Sequence, residues 1–149
     1  MKQISVLVVL LSCWSICAAA EPAACNLKGQ WKNDLGSNIT IAAVSQNGVF
    51  SGTYLTAVSA TNNTIVESPL IGYQQLDGSS FGYTVKWEFS SSITVFTGQC
   101  FITETGPVLK TMWLLRSESE NIKDDWKQTR VGYNIFHKLP KILKVPNQK

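Results

Sequence analysis

The sequence predicts an all-β chain folded as an eight-stranded antiparallel up-and-down β-barrel. Three observations carry that expectation. Beyond the first twenty residues no long 3.6-residue apolar stripe is present. Short runs rich in β-branched and aromatic residues recur instead, each followed by a turn cluster. The links are short and no helix is left over to cover a sheet, so closing the sheet on itself both removes the edges and leaves interior room. A two-sheet sandwich is the alternative arrangement of the same strands.

The first run, KGQWKN (28–33), leads into the turn DLGS, and NITIAAV (38–44) leads into SQNG. Asn47–Gly48 is a tight-turn signal because glycine accepts a positive φ. VFSGTYLTAV (49–58) gives way to SATNN, and TIVESPLIGYQ (64–74) to QLDGSS, where Asp77–Gly78 is a second such signal. FGYTVKWEF (81–89) ends at Ser90–Ser92, ITVFTGQCFI (93–102) at TETG, and PVLKTMWLLRS (107–117) at the acidic link ESENIKDD. One turn of helix fits in ESENIKDDW, and WKQTRVGYNIFHKL (126–139) supplies the eighth strand.

Lys2, the apolar run ISVLVVLLSCWSICA and the small residues Ala18 to Ala20 form the pattern of a cleaved signal peptide over 1–20. A secreted, extracellular protein is expected, with its barrel domain over 21–137 and a basic, flexible tail over 138–149. The net charge of +3 includes Lys2 and is too small to call for a nucleic acid. No other segment approaches the ~20 apolar residues that cross a bilayer. Neither nucleic acid nor membrane is therefore expected as a partner. Cys13 and Cys17 leave with the leader, so Cys25 and Cys100 remain as an even pair in an oxidising compartment and are expected to form one disulfide. Together with His137 they are too few for a structural metal site. The sequons at Asn38 (NIT) and Asn62 (NNT) accept N-linked glycan if exposed.

Alternation with period two phases each strand. With Trp113 inward, Leu109, Thr111 and Leu115 join it, while Met112 and Leu114 face out. Thr94 and Phe96 go in as Ile93 and Val95 go out; Asn134 goes in as Val131, Tyr133 and Ile135 go out. The outer set is too apolar for water and marks an oligomer interface. The inner set combines Trp31, Trp87, Phe89, Phe96 and Trp113 with Asn33, Ser37, Tyr54, Thr56, Ser90, Ser92, Thr94 and Asn134. A polar group buried without a partner costs roughly 1–3 kcal/mol. Such a cluster points to a compact ligand with an apolar body and dense hydrogen-bonding needs. Catalysis is not expected: His137 has no Ser or Cys partner, and Asp34, Glu67, Asp77, Glu88, Glu104, Asp124 and Asp125 fall mainly in turns or on outward phases.

The strings CNLKGQWKNDLGSNITI, GVFSGTYLTAVSAT, ESPLIG, FGYTVKW, VFTGQCFI, VLKTMWLLRS and DDWKQTRVGYNIF resemble the avidins, a family of biotin-binding proteins, over essentially the whole mature chain. The resemblance implies an eight-stranded barrel, a homotetramer, and one biotin per subunit as ligand, with no catalytic cofactor. Carried over by residue, it implies that Asn33, Ser37 and Tyr54 hold the ureido oxygen, and that Thr56 and Asn134 accept from the ureido N–H groups. Thr94 approaches the ring sulfur. Ser90, Ser92, Thr61 and backbone near Ala60 hold the carboxylate, with Val58 and Ser59 completing a lid. Trp87, Phe89, Phe96, Trp113 and Leu115 wall the ring and chain. Trp126 from a neighbouring subunit caps the site, and Arg130 pairs or stacks at the closed end. A lipocalin-like carrier, or an avidin-like protein retuned to another small ligand, is the alternative.

Overall fold

The computed structural model describes residues 25–140. The expected signal peptide and residues 141–149 of the expected tail lie outside them. Eight strands run β1 (Gly29–Asn33), β2 (Asn38–Val44), β3 (Val49–Leu55), β4 (Ser68–Gln74), β5 (Ser80–Lys86), β6 (Ser92–Thr103), β7 (Gly106–Ser117) and β8 (Thr129–Lys138). Each pairs antiparallel with its neighbour in sequence, and β8 returns to β1 through Trp31–Lys138, Lys32–His137 and Asn33–Phe136, so the barrel is closed. The sandwich alternative is thereby removed.

Both expected tight turns form, with Gly48 at φ 82° and Gly78 at φ 75°. Several strand ends differ from expectation; β4, for one, begins at Ser68 and not at Thr64. β3 stops at Leu55 because Thr56 turns its hydroxyl onto Val58, donating to Val58 O at 2.8 Å. β5 stops at Lys86, so Trp87 and Phe89 stand on the turn beyond it. Trp126 precedes the eighth strand, on a six-residue 3-10 helix (Ile122–Lys127) whose N-cap Asn121 accepts from Lys123 N and Asp124 N.

Up-and-down order sends alternate connections to opposite ends. The turns at 45–48, 75–79 and 104–105 gather at one end, which the amino-terminal segment closes. There Trp31, fully buried, donates from Nε1 to Leu27 O at 2.8 Å, and Gln74 donates to Cys25 O at 2.8 Å. Lys138, assigned to the tail from sequence, belongs to the barrel: its Nζ donates to Asn26 O and lies 4.8 Å from the Trp31 ring centroid. Cys25 and Cys100 are bonded across a sequence separation of 75, fastening this segment to β6. In the chain-entropy account that loop is worth about 4 kcal/mol.

Above this plug the core is continuous. Phe50, Phe136, Leu27, Ile39, Ile41, Leu109 and Val85 are fully buried, each contributing roughly 1.5–3 kcal/mol. The other end of the barrel, carrying the connections 34–37, 56–67, 87–91 and 118–128, stays open.

The inward phasing holds in β6, β7 and β8: Thr94, Phe96, Leu109, Thr111 and Asn134 are buried. The outward set is exposed except for half-buried Ile135, with Met112 at 61%, Tyr133 at 68% and Val131 at 71%. These residues align across strands, Val95 opposite Leu114 and Leu114 opposite Val131, to make one apolar face.

Candidate functional site

The open end holds a cavity of about 570 Å³. Its apolar wall comes from Trp87, Phe89, Phe96, Trp113, Leu115, Val58 and Leu35. Trp113 lies against β8 because its register partner is glycine: a Cβ on Gly132 would sit 2.4 Å from Trp113 Cζ2. Trp87 makes T-shaped contacts with Tyr54 (centroids 5.2 Å) and with Phe89 (5.8 Å). Its Nε1 donates to Thr94 Oγ1 at 2.7 Å.

Every polar side chain in the deep part of the site has some of its hydrogen-bonding capacity occupied by the protein, which defines what remains. Asn33 Oδ1 accepts from Leu35 N at 3.1 Å and Ser37 N at 2.8 Å, which turns its amide nitrogen toward the Tyr54 hydroxyl at 3.5 Å. Ser37 Oγ accepts from Ala57 N at 3.0 Å and keeps its proton. Tyr54 is buried, which pushes its pKa up to about 12; the Ser37 hydroxyl opposes that shift and the Asp34 charge adds to it. Tyr54 is thus a donor at any ordinary pH. Three donors remain here.

The acceptors are set in the same manner. Thr56 Oγ1 gives its proton to Val58 O and receives Val58 N at 3.2 Å, so a lone pair is what is left. Asn134 Nδ2 donates to Asp34 Oδ1 at 3.0 Å, and the same oxygen takes Ile135 N at 3.3 Å. Its side-chain carbonyl is left over. Thr94, having accepted from Trp87, retains a proton for a weak acceptor. At the rim, Ser90 and Ser92 share a 2.6 Å hydrogen bond, and Asn63 Nδ2 donates to Phe89 O at 2.8 Å, tying the 56–67 connection to the 87–91 connection.

Of the residues singled out from sequence, Thr56, Val58, Ser59, Ala60, Thr61, Trp87, Phe89, Ser90, Ser92, Thr94, Phe96, Trp113, Leu115 and Asn134 line this cavity. Asn33, Ser37 and Tyr54 are not on its wall. They are buried directly behind it, with Tyr54 stacked on Phe96 at 5.6 Å and Ser37 bonded beside Thr56. Trp126 does not reach the cavity of its own chain and is 77% exposed. Arg130 corrects the sequence expectation: it is exposed on the wall of the open mouth, opposite Leu115, because β8 begins at that end.

Sequence reasoning missed Leu35, Ser91, Ser117, Glu118 and Glu120 on the wall, and Asp34 behind Asn134. The glycine of VGYN in a strand was the one available signal for the Trp113 seat. Among the described residues no group of three or more His, Cys, Asp and Glu could hold a metal.

A closed-bottomed barrel with an aromatic box and a fixed set of donors and acceptors is the architecture of a small-molecule binding protein. The chain belongs to the avidin family: the Avidin family profile matches residues 21–139. It is 56% identical over 138 residues to avidin of Gallus gallus, covering 89% of this chain and 91% of that one. The crystal structure of xenavidin is 60% identical with a TM-score of 0.76, covering 78% of this chain and all of its own. A biotin binding protein from chicken is 52% identical with a TM-score of 0.74, covering 78% of this chain and 98% of its own.

Proposed function

We propose that this chain is a non-catalytic, secreted protein that binds and sequesters biotin, one molecule per subunit of a homotetramer. The leftover hydrogen-bonding capacity carries the reading. A cyclic urea presents one carbonyl oxygen between two N–H groups. Three donors, Asn33, Ser37 and Tyr54, suit the oxygen and polarise it. Two acceptors, Thr56 and Asn134, suit the N–H groups. Thr94 is placed for the ring sulfur, and Trp87, Phe96 and Trp113 for the apolar body. Ser90, Ser92 and Thr61, at the rim, suit the carboxylate at the chain's end. Little remains to be ordered on binding except the lid, which favours tight association.

The homotetramer is supported by the apolar outer face of β6, β7 and β8, too large and continuous to be left in water. In that assembly Trp126, exposed and outside the cavity of its own subunit, caps a neighbour's cavity. Calorimetric titration of ligand-free protein with biotin tests the reading. One site per chain and release too slow to follow are expected. Absent or weak binding of biotin, with uptake of a long-chain fatty acid instead, would overturn it in favour of a lipocalin-like carrier.

A further inference from the structure

The connection between β3 and β4, residues 56–67, forms part of the wall at the open end of the cavity, and this segment has two sides. Val58, Ser59, Ala60 and Thr61 line the cavity, whereas Asn62 is exposed and absent from its wall. Asn63, the next residue, fastens the segment to the 87–91 connection through its bond to Phe89 O. Asn62 therefore stands off the cavity wall, on a segment that lines the open end and is tied there to the 87–91 connection. Asn62, Asn63 and Thr64 form an acceptor sequon; all three are exposed, and no hydrogen bond occupies the Asn62 side chain among the described residues.

We propose that Asn62 carries an N-linked glycan and that this glycan screens the mouth by size, admitting free ligand while hindering ligand attached to a macromolecule. The proposal rests on the secreted, biotin-binding reading above. The co-reactant is a lipid-diphosphate-linked oligosaccharide of the secretory pathway. The bond between Asn62 Nδ2 and the sugar C1 forms as the C1–O bond to the diphosphate breaks; the lipid diphosphate leaves and Nδ2 gives up one proton. The inner side of the lid is untouched, so contacts to a bound ligand are preserved. A hydrated, mobile oligosaccharide beside the opening instead removes approach directions from a bulky partner, and that acts on the association rate.

The test uses full-length chain secreted from eukaryotic cells, in a Thr40→Ala background that removes the Asn38 sequon. Peptide mass spectrometry reads occupancy directly; an unmodified Asn62 overturns the proposal whatever the ligand. Association rates are then measured for free biotin and for biotin coupled to a globular carrier protein. The glycosylated protein is compared with enzymatically deglycosylated protein and with Asn62→Gln. Removing the glycan is expected to speed capture of the coupled biotin by about an order of magnitude and to leave free biotin unchanged. Equal acceleration of both ligands, or none of either, overturns the screen. Failure of free biotin to bind in any form overturns the cavity reading and the screen with it, while the mass measurement still decides occupancy.

Discussion

Asn134 donates from Nδ2 to Asp34 Oδ1 at 3.0 Å although the two residues are 100 positions apart in the chain. The carboxylate accepts but cannot donate, so it dictates which end of the Asn134 amide faces the cavity. Replacing Asp34 with Ala frees the amide to rotate and exposes an N–H where a ligand N–H must dock. Biotin affinity is expected to fall by roughly ten- to a hundredfold, in line with the ~1.5–3 kcal/mol of a hydrogen bond to a charged group. Displacement calorimetry checks this. Loss of affinity no greater than that of a remote surface variant would sink the orienting role.

Gly132 gives Trp113 its seat, so Gly132→Ala must move the indole, the nearest ring atom being 2.4 Å from the added carbon. Trp113 is half-buried and has open cavity to move into, which spares the fold and narrows the site. Weaker binding with a retained cooperative melt is expected. Calorimetry beside a thermal melt reads both.

Tyr54→Phe keeps the ring that stacks on Phe96 and meets Trp87 edge-on, and deletes one donor. A loss of about tenfold in affinity is expected, near the net worth of one buried hydrogen bond. An unchanged dissociation constant would remove Tyr54 from the oxygen-binding set.

Tyr54 and Tyr83 also set the alkaline limit. Burial is the leading cause for both: it raises Tyr54 from 10.0 to about 12 and Tyr83 well above 10.0, and the Tyr83 hydroxyl has no hydrogen-bond partner among the described residues. Above pH 10 the unfolded chain loses these protons while the folded chain keeps them, so the unfolded state binds fewer protons and stability falls as pH rises. Below pH 10 the contribution is fully present. Denaturant titrations from pH 8 to 12 are expected to show a midpoint that is flat, then declines above about pH 10 at up to ~1.4 kcal/mol per pH unit for each tyrosine. Tyr83→Phe should flatten part of that decline.

Trp126 is 77% exposed in its own chain, so Trp126→Ala costs the fold little. In a tetramer it removes the cap of a neighbour's site, and release of biotin is expected to quicken by about thirtyfold or more, the size of an aromatic hot spot. Stopped-flow or competition kinetics measure it. An unchanged rate would separate Trp126 from the site.

Much of the fold and the site was legible because its signals are local. Gly48 and Gly78 mark turns by their own backbone freedom, and period-two alternation assigns Thr94 inward and Val95 outward whatever the strand's neighbours are. Strand ends were less legible: Trp87 and Phe89 read as strand, yet lie on the turn after β5, because side-chain chemistry does not say where pairing stops.

By itself the sequence determined the class of fold, the inward aromatic and hydroxyl set, the apolar outer face and the disulfide pair. Each of these follows from residue type, count and order along the chain. Only the tertiary structure decided that Asp34 governs Asn134, that Gly132 seats Trp113, that Arg130 stands at the mouth, and that Asn62 is off the cavity wall while Val58 to Thr61 line it. The physical reason is closure: pairing β8 with β1 and setting each strand's register brings together groups remote in the chain, and assigns every turn to one end of the barrel.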